Sequence, residues 1–214
     1  MAAPAFVHLR LHTEFSITDG MTRISEVLDQ AVEDEQVALA ITDLANVFGA
    51  VKFYQAARQR GVKPIIGCDV WLSHAEARDE PHRLLLLCQD RRGWLRLCEL
   101  LSQAYCEHQY RGRAEIDPSW FDRGDNRGLL ALSGAQLGDV GHLLAQSQEE
   151  AAQARARLWA MRFPGAYYLE VQRTGSPSVE KVVQATFNLA QQLDLPVVAT
   201  QAIQFSQPED FKAH

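Results

Sequence analysis

At 214 residues the chain is long enough to bury a sizeable core, as one large domain or, by length alone, two small ones. Hydrophobic residues make up 47% and charged residues 22%, with no low-complexity run, which excludes long disordered tracts. With 21 Lys+Arg against 27 Asp+Glu the formal charge is -6, a total that excludes a surface built to neutralise many phosphates, although a local basic patch stays open.

The first residues, Met1 to His8, lack the basic and long apolar regions of a secretory signal, and no stretch approaches ~20 uninterrupted apolar residues. The expectation is a cytoplasmic protein with no membrane partner. Along the chain, short β-rich runs at Phe6 to Leu11, Val37 to Thr42, Pro64 to Leu72, Arg83 to Cys88, Gly128 to Ser133, Ala166 to Val171 and Pro196 to Thr200 read as strands. Between them, Ile24 to Glu35, Phe48 to Arg60, Gly93 to His108, Glu149 to Arg162 and Ser178 to Leu193 carry apolar residues at helical spacing. Gly61 is placed to cap the second of these helices and Ser178 to start the last. Tyr110 to Arg127, rich in Arg, Asp and Gly, reads as a long loop with one short helix. Strands alternating with helices predict an α/β protein of βα units around a parallel sheet, and seven strands are a barrel-sized number. Cys68, Cys88, Cys98 and Cys106 show no CxxC spacing and are expected to be buried, reduced thiols.

In parallel βα folds ligands gather beyond the carboxyl ends of the strands. The residues there are His8, Arg10, His12 and Asp19, then Asp43, Asp69, His82 with Arg83, and the turn Thr200 to Gln204. Converging His and carboxylate groups suit a multinuclear metal site that activates water and clamps a phosphate. Taken singly, Asp19 before Gly20 and Asp43 after Thr42 read equally well as turn or cap residues.

The string His8-Leu-Arg-Leu-His-Thr-Glu-Phe-Ser-Ile-Thr-Asp-Gly20 resembles the first motif of the PHP (polymerase and histidinol phosphatase) domains found at the N-terminus of bacterial replicative DNA polymerase III alpha subunits. Ala40-Ile-Thr-Asp-Leu-Ala-Asn-Val-Phe-Gly49 resembles the second, and Gly61 to Asp69, Leu84 to Trp94, Leu132-Ser-Gly134 and Leu195 to Thr200 follow in the family's order. The resemblance covers essentially the whole chain, residues 1–214, as one domain. It implies a distorted barrel of seven βα units, in which intact members hold up to three metal ions and hydrolyse phosphoesters.

Against that pattern, Arg10 stands where a ligand His belongs, Leu44 where another His follows the Asp of the second motif, and Asp69 where a Glu is usual. Arg83 occupies the next His position, with His82 one residue out of register, and Ala202 and Gln204 replace the Asp and His of the last motif. A one-residue slip in a strand turns a side chain to the other face. His12, Asp19 and Asp69 remain as vestigial ligands. The resemblance therefore implies a catalytically silent domain with no resident metal, or at most one weakly bound Zn or Mn. It also implies charge pairs from Arg10 and Arg83 to Asp19 and Asp69, or else an anion pocket built from the same arginines.

The further implications concern the parent molecule. The domain would stabilise the polymerase subunit and dock the proofreading 3′–5′ exonuclease subunit, with DNA and the sliding clamp reached only through the full-length protein. The run Gln207 to His214 follows the last motif directly, where the family continues into palm, thumb and fingers. DNA-directed polymerisation and its Mg would belong to those regions. The alternative function is a residual metal-dependent phosphoesterase or pyrophosphatase.

Overall fold

A computed structural model describes residues 6–205; the run Gln207 to His214 lies outside them. The chain falls into two compact units, one made of residues up to Asp69 together with those from Gln201 on, the other of Val70–Thr200.

In the first unit, helix α1 (Ile24–Glu33) buries Ile24, Val27, Leu28 and Ala31, the i, i+3, i+4, i+7 stripe of an amphipathic helix. Helix α2 (Ala50–Gln59) buries Ala50, Phe53 and Ala57. Strand β1 (Ala38–Ile41) is buried at all four residues and pairs in parallel with the start of β2 (Lys63–Leu72), Ala38 opposite Lys63 and Ile41 opposite Ile66. Leu11, Leu28, Leu39, Ile41 and Phe53 meet in one core cluster. Gly61, at φ +76°, ends α2 as expected, because a left-handed residue there lets the chain turn without a Cβ clash.

The expected strand Phe6 to Leu11 is not a strand. Its backbone is nonetheless tied on both sides: the amides of Ala40 and Thr42 donate to the carbonyls of His8 and Leu11, and His12 donates to Ile203. Only the Leu11–Ile203 bridge is ladder-like. The extended path still sends Leu11 into the core, so that Arg10 and His12 share the opposite face.

In the second unit, the end of β2 neighbours β5 (Arg113–Ile116) and β3 (His82–Cys88), and the order continues through β6 (Leu129–Leu132), β7 (Tyr167–Val171) and β8 (Val197–Ala199). β6, β7 and β8 pair in parallel, but β3 and β6 are antiparallel, with Leu85 opposite Leu132. The strands, expected to run parallel, are thus mixed in direction within this unit. Leu84 to Leu87 are all buried, as in a strand covered on both faces, and an unbroken apolar run does not reveal strand direction.

The long loop from Tyr110 is also corrected. It begins with a hairpin of β4 (Gln109–Tyr110) and β5 turned by Arg111 and Gly112, both at positive φ, before a 3-10 turn at Pro118–Asp122. Strands this short, charged at Arg113 and Glu115, carry too little hydrophobic alternation to stand out. Helix α3 (Arg91–Glu107) starts at Asp90, whose carboxylate accepts the Arg92 and Gly93 amides. A Cβ at Gly93 would lie 1.8 Å from the Gly128 carbonyl oxygen, so glycine is required where α3 meets that backbone. A short helix not foreseen, α4 (Asp139–Ala145), precedes α5 (Glu149–Arg162). The last helix, α6 (Pro177–Leu193), has Ser176 and not Ser178 at its N-cap position, without a side-chain capping bond, because Pro177 takes the first helical position.

Cys68 is buried, Cys88 and Cys98 are half-buried, and Cys106 is exposed, which corrects the expectation of four buried thiols; no disulfide joins any two of them. Burial pushes the Cys88 thiol up to about 12, leaving it protonated at neutral pH.

Candidate functional site

The first unit gathers Arg10, His12, Asp19, Asp69 and Gln204. Arg10 and His12 project from the extended segment beside β1, Asp69 from β2, Asp19 from the turn after a single 3-10 turn at Glu14–Ser16, and Gln204 from the segment paired with residues 10–12. Asp69 has no exposure at all, and Arg10 and His12 are each 3% exposed. The Arg10 guanidinium donates to Asp69 Oδ2, the same oxygen that lies 3.1 Å from His12 Nε2. On the other side of the ring, His12 Nδ1 is 3.1 Å from Asp19 Oδ2. Gln204 donates through Nε2 to Asp19 Oδ1.

The electrostatics follow from those contacts. Burial opposes a charged His12, but hydrogen bonds to Asp19 and Asp69, and the charges behind them, outweigh it and raise the imidazole to about 9. At neutral pH His12 is therefore a cation bridging two carboxylates, and both ring nitrogens are engaged.

Asp43 has a different task. It accepts from the Thr13 amide at 2.6 Å, from Thr13 Oγ1 at 2.9 Å and from Ser16 Oγ at 2.8 Å, fixing the 3-10 turn against the end of β1. Burial raises its pKa even so. Of the two roles open for Asp43, the geometry gives it the turn-clamping one. Leu44 forms a parallel bridge with Asp69 through the backbone and presents no donor atom. Ala202 likewise brings none.

Arg83 belongs to the second unit, 6% exposed on β3, with its guanidinium 3.9 Å above the Trp71 ring. His82 packs at a tilt against His74, 4.7 Å and 34°, and against His142, 5.2 Å and 55°, between ring centres and planes.

Metal ligation is a poor fit for the first-unit cluster: Arg10 already occupies the Asp69 oxygen that faces His12, and among the described residues no three His, Cys, Asp or Glu are disposed around one ion. What the cluster does is neutralise two buried cations with two carboxylates across three chain segments.

Sequence reasoning missed Gln204 as a partner of Asp19, treating it only as a lost ligand. It also missed Thr13 and Ser16. Their signal was a short hydroxyl-bearing turn close to a strand-end Asp.

Comparison with known proteins places this geometry. A family model described as "PHP domain" matches residues 8–174. The chain is 47% identical over its whole length to the DNA polymerase III subunit alpha of Neisseria meningitidis, 40% identical over 98% of its length to that of Pseudomonas aeruginosa, and 37% identical over its whole length to that of Escherichia coli. It spans 18–19% of the length of those relatives. Among solved structures, an amidohydrolase from Chromobacterium violaceum, solved with sulfate and no metal, superposes with a TM-score of 0.58 at 15% identity, covering 95% of this chain and 89% of that one. A proposed metal-dependent phosphoesterase from Bifidobacterium adolescentis gives 0.57 at 15% identity, covering 97% and 91%. At that identity the likeness establishes the α/β fold expected for the family, and with the family match over residues 8–174 the chain belongs to the PHP domain family.

Proposed function

We propose that this chain is a catalytically silent PHP domain of a replicative DNA polymerase III alpha subunit, in which an internal charge cluster does the structural work that metals do in intact relatives. The observation that carries the reading is the Arg10 guanidinium on Asp69, with His12 bridging Asp69 and Asp19. Arg10 replaces a removable cation with a covalently tethered one, and the bidentate reach of guanidinium suits a carboxylate that must stay charged while buried. Arg83 extends the same replacement of ligand by fixed positive charge. Similarity to alpha subunits over the whole chain supports the polymerase context.

Within that protein the domain serves as a scaffold that stabilises the polymerase and docks the proofreading exonuclease subunit, with DNA and sliding clamp engaged through the complete subunit in the cytoplasm. Among the described residues no helix is long and apolar enough to cross a membrane.

The test has two arms. Purified chain assayed for Zn, Mn and Fe and for turnover of a generic phosphodiester is expected to contain no stoichiometric metal and to turn nothing over. Stoichiometric metal with turnover abolished by His12→Ala would replace the scaffold by a residual phosphoesterase. Size-exclusion chromatography with the exonuclease subunit is expected to give a complex, and failure to co-elute at tens of micromolar removes that partner.

A further inference from the structure

A cavity of about 730 Å³ opens in the second unit between the start of α3, the end of α5 and the loop 121–128. That volume falls within the roughly 300–1,000 Å³ range of small-molecule sites. Its loop wall is held from behind. Asn126 donates to the carbonyls of Phe121 at 2.7 Å and Arg162 at 3.1 Å, and Arg96 donates to those of Trp120 at 2.7 Å and Arg123 at 2.6 Å. Gly128, at φ +87°, passes so close to Asp90 that a Cβ would fall 2.2 Å from its carboxylate. With these carbonyls already bonded, the wall stands before any ligand arrives, which lowers the ordering cost of binding.

Three arginines line this cavity, Arg92, Arg127 and Arg162, against two carboxylates, Asp122 and Asp125, so its charge is positive in a chain whose total is -6. Arg92 and Arg127 have side chains 65% and 75% exposed, and each pairs with an aspartate two residues earlier, Asp90 and Asp125. Exposed pairs of this kind hold weakly, so either guanidinium can turn to a ligand at little cost. Hydrogen bonds from Arg127 hold the Asp125 carboxyl down at about 2 and Arg92 adds to the pull, which brings both cations near one carboxylate. Arg162 differs from them. Its side chain is 7% exposed and fixed to Asp122 at 2.7 and 2.8 Å, while its Nη1 is buried with no hydrogen-bond partner among the described residues. A buried guanidinium nitrogen left alone marks a place where an acceptor oxygen is missing. Beside the arginines, Leu158, Met161 and Pro164 line the cavity with apolar surface, and Met161 is 69% exposed.

We propose that this cavity binds an organic phosphate, a phosphate monoester carrying an aromatic or aliphatic body, with Arg92, Arg127 and Arg162 on its head group. Three guanidinium groups suit a head with three terminal oxygens, whereas a carboxylate offers two. A bare phosphate fills only a small part of the volume, and Leu158, Met161 and Pro164 supply apolar contact for the rest of the ligand. Asp122 orients Arg162 and leaves Nη1 for the ligand, so the carboxylate shapes the site without filling it. The cavity shares no residue with the Arg10–Asp69 cluster, and the proposal is independent of the function proposed above.

The test is calorimetric titration of the purified chain with phenyl phosphate, inorganic phosphate and benzoate, repeated for Arg92→Gln, Arg127→Gln and Arg162→Lys. Phenyl phosphate is expected to saturate one site, about tenfold tighter than inorganic phosphate, which lacks the body, and about tenfold tighter than benzoate, which lacks the third oxygen. Arg92→Gln and Arg127→Gln change exposed side chains and should each weaken phenyl phosphate about tenfold with circular dichroism unchanged. Arg162→Lys keeps the charge and loses the planar fork, and is expected to weaken binding most; should it unfold, the two exposed variants carry the test. The proposal is overturned, with the scaffold reading intact, by absence of saturation up to ~10 mM phenyl phosphate, by inorganic phosphate or benzoate binding as tightly, or by binding indifferent to both Arg92→Gln and Arg127→Gln.

Discussion

His12 in the first unit and His82 in the second are both withdrawn from solvent, yet their protons behave oppositely. His12 is raised to about 9 and His82 lowered to about 4. Burial works against the imidazolium in both. His12 has a carboxylate oxygen at 3.1 Å from each ring nitrogen, whereas His82 has imidazoles on both sides and only a more remote Asp139. Desolvation sets a cost that the partners either repay or do not, so burial alone never decides a histidine's charge. One region is an internal salt cluster, and the other keeps a neutral His82.

The most damaging way to break this contrast is Asp69→Asn, which leaves Arg10 and His12 buried beside an uncharged amide. A loss of about 3–5 kcal/mol is expected, since removing one partner of a buried ion pair strands the other charge. Urea unfolding measures it, and a loss under about 1 kcal/mol, the worth of an exposed pair, would show that the cluster is not the keystone proposed.

Trp159→Phe, in the second unit, removes the indole N–H from buried Asp139 while keeping most of the ring. The expected cost is about 2 kcal/mol, the value of a hydrogen bond to a charged group. It should also raise the affinity of His82 for protons, because Asp139 then has less competing for its charge, and NMR titration of the ring reads this directly.

The pH dependence separates the two histidines by sign. His12, raised in the fold, contributes stability fully present below its unfolded value near 6.5 and lost as pH climbs through about 9. His82, depressed in the fold, does the reverse: below 6.5 the unfolded chain takes a proton that the folded chain refuses until about 4, so stability falls as pH drops through that window. Urea midpoints from pH 4 to 9 should therefore lose the alkaline slope in His12→Gln and the acid slope in His82→Leu. Swapped slopes would invert the comparison.

The smallest effect is expected for Asp90→Ala, outside both clusters. Loss of the α3 cap should lower the urea midpoint slightly, with no change in either pH slope.

Much of the fold was legible. Helices α1, α2, α3, α5 and α6 lie within two or three residues of their predicted spans, because each buries a stripe at helical spacing. The β4–β5 hairpin and α4 were not, being too short to show a period. Within the candidate site, Arg10, His12, Asp19 and Asp69 were all named from their motifs, and the geometry brings those four together. In that group Asp19 meets His12 and Gln204, and Arg10 meets Asp69.

Sequence by itself determined which side chains stand on the shared face of the 8–12 segment, since alternation along an extended chain is local geometry. Only the tertiary structure decided which oxygen each cation meets, that Asp43 clamps a turn, and that His82 packs between two histidines separated from it by 8 and 60 residues. Those outcomes depend on contacts between distant segments, whose distances are fixed by packing and carry no periodic trace along the chain.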